Sequence, residues 1–513
     1  MLAWTIYTTF LGMFALMLLP AEDKRLARGV ALVTALAGFV CALGGALTAA
    51  PGVVTIVKLP WVHSLGIEYH LAADGISLTL VVLTGIAAVV GVLFSWNIET
   101  RVKEFFAFFF ALIGGVYGVF LSFDLFLLFV FYEIAIIPKY FLIAIWGSTN
   151  REYGAMKLAL YSFVGSAMVL IGIIAASVVS GLHTFDLVRL AAHPFPESFQ
   201  YWAFPLVFVG FAILAGMWPF HTWAPTGHVA APTAASMLLA GVVMKLGAYG
   251  CLRVAITLFP LGLRAWQNEV ALFATIGIVY GAMVALVQKD FKFVIGYSSV
   301  SHMGFVLLGL VTLNEIGLSG AVLQMFSHGI IAGLLFAVVG RMVYERTHTR
   351  DLGALEGMRL HQAMPFAAVT FAVAGFASMG LPGFSGFVAE LQVLIGAWEK
   401  LPGYALLAGV GILIGVAYTL RAMHMAFFAD TSTVAAEVTR RTDGVGSDES
   451  ASSPRRLHDE HAMDPISVPE RFGAVILIAA TLLIGLYPRL LLDIIVPSFA
   501  SPLFDGLRKA GGL

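Results

Sequence analysis

Apolar stretches of about eighteen residues or more recur along nearly the whole of this 513-residue chain, and that recurrence decides its class. Roughly 30 Å of hydrocarbon asks for about 20 residues of helix at about 1.5 Å per residue. Inside lipid a backbone must also satisfy its own hydrogen bonds, which helices do and open strands do not. Charged residues make up only 12% of the chain, against roughly 25% in a soluble domain. The expected fold class is therefore an all-α polytopic membrane protein. Apolar runs separated by polar or Gly/Pro-rich breaks predict about fourteen helices, near residues 3–19, 29–48, 74–95, 104–121, 123–146, 155–179, 204–220, 232–256, 270–287, 293–312, 317–343, 362–398, 402–428 and 472–493. The stretch Met1 to Leu19 lacks the basic start and small-residue cleavage pattern of a secretory signal, so it is expected to be the first helix.

Basic residues give a check independent of hydropathy, because Lys and Arg collect in alternate short loops on the cytoplasmic side. The first loop holds Lys24, Arg25 and Arg28, the third Arg101 and Lys103, and the fifth Arg151 and Lys157. The ninth holds Lys289 and Lys292, and the eleventh Arg346, Arg350 and Arg359, while the loops between hold few. An even helix count then places both termini on the non-cytoplasmic face and the polar segment from about Asp430 to Arg471 in the cytoplasm as a loop. The expected organisation is 1–100 for helices 1 to 3, 101–256 for helices 4 to 8, 257–430 for helices 9 to 13, 431–471 for the loop and 472–513 for the last helix and tail.

Composition also excludes partners. Twenty-nine basic against thirty acidic residues leave no positive excess to track a phosphate backbone, so nucleic acid is not an expected partner. Cys41 and Cys251 are the only cysteines, whereas an iron–sulfur cluster takes about four cysteine ligands and a structural zinc about four Cys/His ligands. No metal and no redox cofactor is expected on this chain. No Gly-rich phosphate loop in a strand-to-helix setting is found either.

Two predicted helices are interrupted by glycine and proline, at Gly216 to Pro225 (GMWPFHTWAP) and at Gly380 to Gly386 (GLPGFSG). They are the seventh and twelfth, five apart, and an odd offset means that matching helices of two five-helix units cross the membrane in opposite directions. Broken helices free backbone polar groups, tolerated at membrane depth only within protein or around a water-filled cavity.

Ionisable groups inside apolar runs mark function by default, because a charge at mid-bilayer costs from a few kcal/mol upward. Glu133 lies in LFVFYEIAIIPKYF, Lys245 in MLLAGVVMKLGAYG, His302 in SSVSHMGF, His328 in QMFSHGIIAG and Glu390 in FSGFVAELQVL. Singly, a buried Glu or Lys serves as an interhelical contact and a buried His as a hydrogen-bonded packing residue. Spread over five helices, two acids, a lysine and two histidines have the composition of a proton relay. Lys157 and Lys292, near predicted helix ends, read as snorkelling side chains, with Asp290 placed to pair with Lys292.

The segments FYEIAIIPKYFLIAIWG, PFHTW, HVAAPTAASMLLAGVVMKLGAYG, QKDFKFVIGYSSVSHMGFVLLG, QMFSHGIIAGLLF, RTHTRDLGAL and LPGFSGFVAE resemble the M-type antiporter-like subunits of respiratory complex I, the NADH:quinone oxidoreductase. The resemblance implies fourteen helices with two inverted five-helix repeats broken at helices 7 and 12. It implies a proton-translocating translocase subunit in the bacterial inner membrane, beside L-type and N-type antiporter-like subunits and lipid. It places FMN, iron–sulfur clusters and quinone in partner subunits. By resemblance Glu133 is the input-side glutamate, Lys245 the central lysine, His302 and His328 the connecting histidines and Glu390 the exit-side glutamate. Competing readings are an Mrp-type cation/proton antiporter subunit, a paralogue serving another electron donor such as ferredoxin or a hydrogenase, and a structural module that does not pump.

The chain departs from the family pattern at the partner of Glu133. The seventh-helix lysine should fall at Leu214, and no lysine occurs between Lys157 and Lys245. The family's Leu-Pro-Asp-Ala-His turn reads Ala224, Pro225, Thr226, Gly227, His228, without the aspartate. Glu133 is thus left without the cation that would favour its ionised form. Lys139 is the candidate substitute charge, although six residues rotate a helix by roughly 240° and put it on another face.

Overall fold

A computed structural model describes residues 1–50, 52–429 and 463–511. Helices α1 (Leu2–Leu18), α2 (Lys24–Thr48), α3 (Gly75–Phe94), α4 (Val102–Leu121), α5 (Leu125–Trp146), α6 (Arg151–Ser180), α7 (Glu197–Ala230) and α8 (Thr233–Ile256) build the first part of the bundle. They are followed by α9 (Gln267–Val287), α10 (Phe291–Leu310), α11 (Glu315–Thr347), the two halves of α12 (Pro365–Ser378 and Ser385–Lys400), α13 (Pro402–Phe428), α14 (Val468–Leu486) and the short α15 (Arg489–Ser498). Among the described residues twelve helices are long and apolar enough to cross a membrane. The shorter α1 and the split α12 complete the expected set of fourteen.

A helix that is apolar all round must be surrounded by protein. The apolar windows of α8 and α11 are 100% buried, whereas only 28% of that of α13 and 33% of those of α2 and α14 are. The helices carrying Lys245 and His328 are therefore the axis of the molecule, and α2, α13 and α14 belong to its rim.

Two sequence expectations need correction, and a third falls largely outside the described residues. The segment between α2 and α3 is an antiparallel hairpin, β1 (Val54–Val62) and β2 (Ile67–Ala73), pairing Val54 with Ala73 and Lys58 with His70. Its two strands satisfy each other at one end of the bundle, which an all-helical reading left out. The predicted last helix starts earlier, at Val468, behind a Ser467/Glu470 capping box, and divides beyond Leu486, where Pro488 cannot supply a backbone donor. Of the polar loop expected over 431–471, residues 431–462 lie outside the described residues.

The two breaks stand where expected. Gly216 ends the first half of α7 in the left-handed conformation that glycine adopts freely, and Gly380 does the same after Ser378. The carbonyl of Ile213, freed by the first break, accepts from Trp223 Nε1 at 2.8 Å.

A pair of clasps at opposite ends of the bundle accompanies the breaks. Asp124 caps α5 through the amides of Phe126 and Leu127, and its backbone bridges to Asp186, which caps a short helix through Arg189 N. About 165 residues later Asp290 caps α10 through Lys292 and Phe293, bridges to Asp351, and Asp351 caps a short helix through Ala354 N. Both capping segments share a local sequence, HTFDL from His183 and HTRDL from His348, and both histidines have positive φ. The first clasp lies under the hairpin, where Lys58 Nζ reaches Asp186 Oδ2 at 2.6 Å and His70 Nδ1 reaches it at 3.0 Å. Burial there opposes ionisation of Asp186, but His70, Lys58 and the Arg189 amide outweigh it and hold the carboxyl well below the usual range. The second clasp is tied by Arg350 Nε to Asp290 Oδ2 at 3.2 Å, so Asp290 pairs with Arg350 and not with Lys292.

Candidate functional site

Lys245 sits in the one stretch of α8 that is regular between two π-helical turns, Leu239–Val243 and Cys251–Ile256. Such turns widen the helix and are frequent at functional sites. Here the first brings the Ala240 carbonyl within reach of Lys245 Nζ, which donates to it. Two residues on, Gly247 lets α8 lie directly on α7, since a Cβ there would stand 2.4 Å from the Phe211 carbonyl oxygen.

From Lys245 a chain of polar groups crosses the axis. Its Nζ lies 2.8 Å from His328 Nδ1 on α11. The His328 and His302 rings stack with centroids 5.4 Å apart and planes 29° apart. His302 Nδ1 is 2.8 Å from Glu390 Oε1, and His302 Nε2 is 3.0 Å from Ser378 Oγ. Ser378 ends the first half of α12 and Glu390 lies in the second, so the break allows both halves to address one imidazole. Gln324 Nε2 donates to the same Glu390 oxygen at 3.1 Å. If Lys245 donates to His328 Nδ1, the proton of that ring is on Nε2. If His302 Nδ1–H donates to Glu390, its Nε2 accepts from Ser378. Every link except the stacked histidine pair is a direct hydrogen bond.

Lys245 is fully buried, and among the described residues no carboxylate forms an ion pair with it. A buried ammonium without a counter-ion costs several kcal/mol, so a modest change in the surrounding field decides whether the proton stays.

Glu133 and Lys139 stand apart from this chain. Glu133 Oε1 and Lys139 Nζ are both buried without a hydrogen-bond partner, and no ion pair joins them among the described residues. Leu214 is 1% exposed, so apolar packing occupies the position where the resemblance implies a lysine. His221 and His228, within and after the α7 break, are buried with all four ring nitrogens unpartnered. Lys292 is not a snorkelling residue: it is 2% exposed and donates to the Ala231 carbonyl at 3.1 Å. Lys157 is half-buried, with its ammonium 5.7 Å from the Tyr153 ring centroid.

Under the hairpin Glu68, His70 and Asp186 offer three ligand atoms within 4.8 Å of one another. The Lys58 ammonium, 2.6 Å from Asp186 and 3.2 Å from Glu68, already fills the role of the cation.

Comparisons with known proteins show the family of the chain. The family described as "NADH:quinone oxidoreductase/Mrp antiporter, TM" matches residues 122–415. NADH-quinone oxidoreductase subunit M of Rhodobacter capsulatus is 36% identical over 497 residues, 94% of this chain and 91% of that protein. The chain belongs to this family. The subunit M of Pseudomonas aeruginosa is 37% identical over 448 residues, covering 83% and 87%. A chain of respiratory complex I from Thermus thermophilus with bound NADH superposes with a TM-score of 0.86 at 28% identity, over 100% of both chains. A chain of the Mrp complex from Dietzia superposes at 0.81 with 22% identity over 99% of both, a likeness of fold alone.

For this family member, sequence reasoning found the ionisable members of the chain and missed their neutral partners. Ser378 and Gln324 look like ordinary polar residues of apolar helices, and only the bend of α12, which brings Ser378 to His302 and Glu390 to Gln324 of α11, gives them these partners. Arg253 and its fully buried partner Asp74 carry no such signal in the sequence, since both lie near predicted helix ends, where charges usually reach water.

Proposed function

We propose that this chain is the M-type, proton-translocating membrane-arm subunit of a NADH:quinone oxidoreductase, multi-pass in a bacterial inner membrane with both termini on the non-cytoplasmic face. The sequence Lys245, His328, His302, Glu390, joined by hydrogen bonds at both ends and by the stacked histidine pair between, carries the reading. Glu133 is the input-side group: when a neighbouring subunit changes its charge or surroundings, the field at Lys245 shifts and the ammonium gives its proton to His328. The proton then passes to His302, and Glu390, held by His302 and Gln324, is the release group. Lys139 supplies through space the positive charge missing at Leu214. Redox chemistry belongs to partner subunits, where FMN, iron–sulfur clusters and quinone are placed, and the neighbours of this chain are L-type and N-type antiporter-like subunits and lipid. The matched clasps at Asp124/Asp186 and Asp290/Asp351, at opposite ends of the bundle, support two inverted repeats.

The test is NADH-driven proton uptake by inverted membrane vesicles, comparing wild type with Lys245→Ala after checking assembly. Loss of uptake with intact assembly is expected. Normal uptake would overturn the reading and favour a structural module, which the apolar Leu214 independently suggests. Uptake that requires Na⁺ would instead favour a cation/proton antiporter, the alternative consistent with the fold shared with Mrp.

A further inference from the structure

Lys245 also heads a second polar column, which runs along α8 towards the hairpin. Tyr249 and Arg253 follow it at intervals of four residues, the spacing that puts side chains on one helical face. The Tyr249 hydroxyl donates to the Phe120 carbonyl at 3.0 Å and meets Ser77 Oγ at 3.1 Å. Arg253 Nε donates to the Tyr249 oxygen at 3.1 Å, and its guanidinium binds Asp74 Oδ1 at 2.6 Å. Both members of that ion pair have fully buried side chains. The guanidinium carbon lies 5.1 Å from the centroid of Phe123, a ring with no exposure. Phe123 also neighbours His70, with 6.1 Å between ring centroids, and with it the cluster of Asp186, Lys58 and Glu68. That cluster meets water, the Lys58 side chain being 40% exposed and that of Glu68 28%.

Replacing a buried ion pair by apolar side chains is often neutral or stabilising, so helix packing alone does not explain this one. One oxygen of Asp74 and one nitrogen of Arg253 are in addition buried without a hydrogen-bond partner, at a cost that packing does not return. The position suggests the purpose. Between a proton-carrying lysine and a water-exposed acidic cluster stand a guanidinium, which repels an excess proton, and an aromatic ring, which keeps a constriction dry. Both devices are used by pores to exclude ions.

We propose that the Asp74–Arg253 pair and the Phe123 ring form a seal that closes the direct path between Lys245 and water under the hairpin. Protons on that side cannot run back to Lys245, and a proton leaving Lys245 is directed to His328 and Glu390. The proposal rests on the proton-translocating reading above. Its test uses the purified whole complex in sealed liposomes, following with a pH-sensitive dye the collapse of an imposed pH gradient without NADH. Two variants are compared with wild type: Phe123→Ser, and the double variant Asp74→Asn/Arg253→Gln, which keeps a hydrogen-bonding pair but removes both charges. Each is expected to speed the collapse several-fold, with NADH oxidation in the presence of uncoupler unchanged. Adding Lys245→Ala is expected to return the rate towards wild type. Assembled variants as tight as wild type would overturn the seal, as would a leak that persists without Lys245. Failure of the underlying reading shows separately, as normal NADH-driven pumping by the Lys245→Ala single variant.

Discussion

The two halves of the bundle treat their buried charges differently. In the half from α9 to α12, His302 and Glu390 are bonded to each other and to Ser378 and Gln324. In the half from α4 to α8, Glu133 and Lys139 each leave a buried polar atom without a partner, and Leu214 presents only hydrocarbon. A bonded group holds a defined proton position, whereas a loosely held charge responds to small changes of field. The contrast fits a division of labour in which the second half, together with Lys245 of α8, conducts, while Glu133 and Lys139 of the first half are acted upon.

Breaking the conducting side should have the largest effect. Lys245→Ala and Glu390→Gln are each expected to lower NADH-driven proton uptake by about tenfold or more, the scale on which positioned proton-transfer groups act. His302→Gln keeps a hydrogen bond to Glu390 but cannot relay a proton, and a similar loss is expected. Uptake within error of wild type in all three would erase the distinction between the halves.

The first half should respond more mildly. Lys139→Met is expected to lower uptake by about twofold to threefold, because an unpaired charge acts only through space. Adding Leu214→Lys should restore it by placing a cation on α7. No effect of Lys139→Met would remove Lys139 as the substitute charge for the lysine missing at Leu214.

The smallest effects concern the clasps, read in the thermal stability of the purified complex against pH. Asp186 has its carboxyl held below the usual range, so its stabilisation is complete at neutral pH and is lost only as the pH falls below about 4. Lys58→Met should cost up to about 1 kcal/mol, since the lysine is partly exposed. Asp124 has the opposite sign: burial, only partly offset by the amides of Leu127, Glu68 and Phe126, raises its carboxyl to about 6. The stability tied to its neutral form is present at low pH and declines as the pH rises through about 6, a decline that Asp124→Asn should remove.

How much could be read from residues alone varies with the kind of signal. Spans were legible because lipid leaves no other use for long apolar runs, and the breaks at Gly216 and Gly380 were legible because each glycine is followed within three residues by a proline (GMWP, GLP). The hairpin of β1 and β2 was not, since a segment between two spans carries no signal that separates a loop from two short strands. Glu133, Lys245, His302, His328 and Glu390 stood out as charges or imidazoles against a hydrocarbon background. The pairing of Asp74 with Arg253 did not, because 179 positions separate the partners and each alone looks like a helix end. The local likeness of HTFDL and HTRDL was equally visible in the residues, but it gains meaning only once Asp186 and Asp351 are seen to cap alike at opposite ends.

Hydropathy and backbone chemistry, properties of neighbouring residues, therefore settled the class of the molecule, its spans and its broken helices, and singled out five ionisable groups within the spans. Which of those groups touch was decided by the packing of α8 and α11 along the axis and by the bend of α12, which brings Ser378 and Glu390 to one histidine. Hydrogen bonds act over about 3 Å, and closeness on that scale between residues far apart in sequence exists only after the helices have packed.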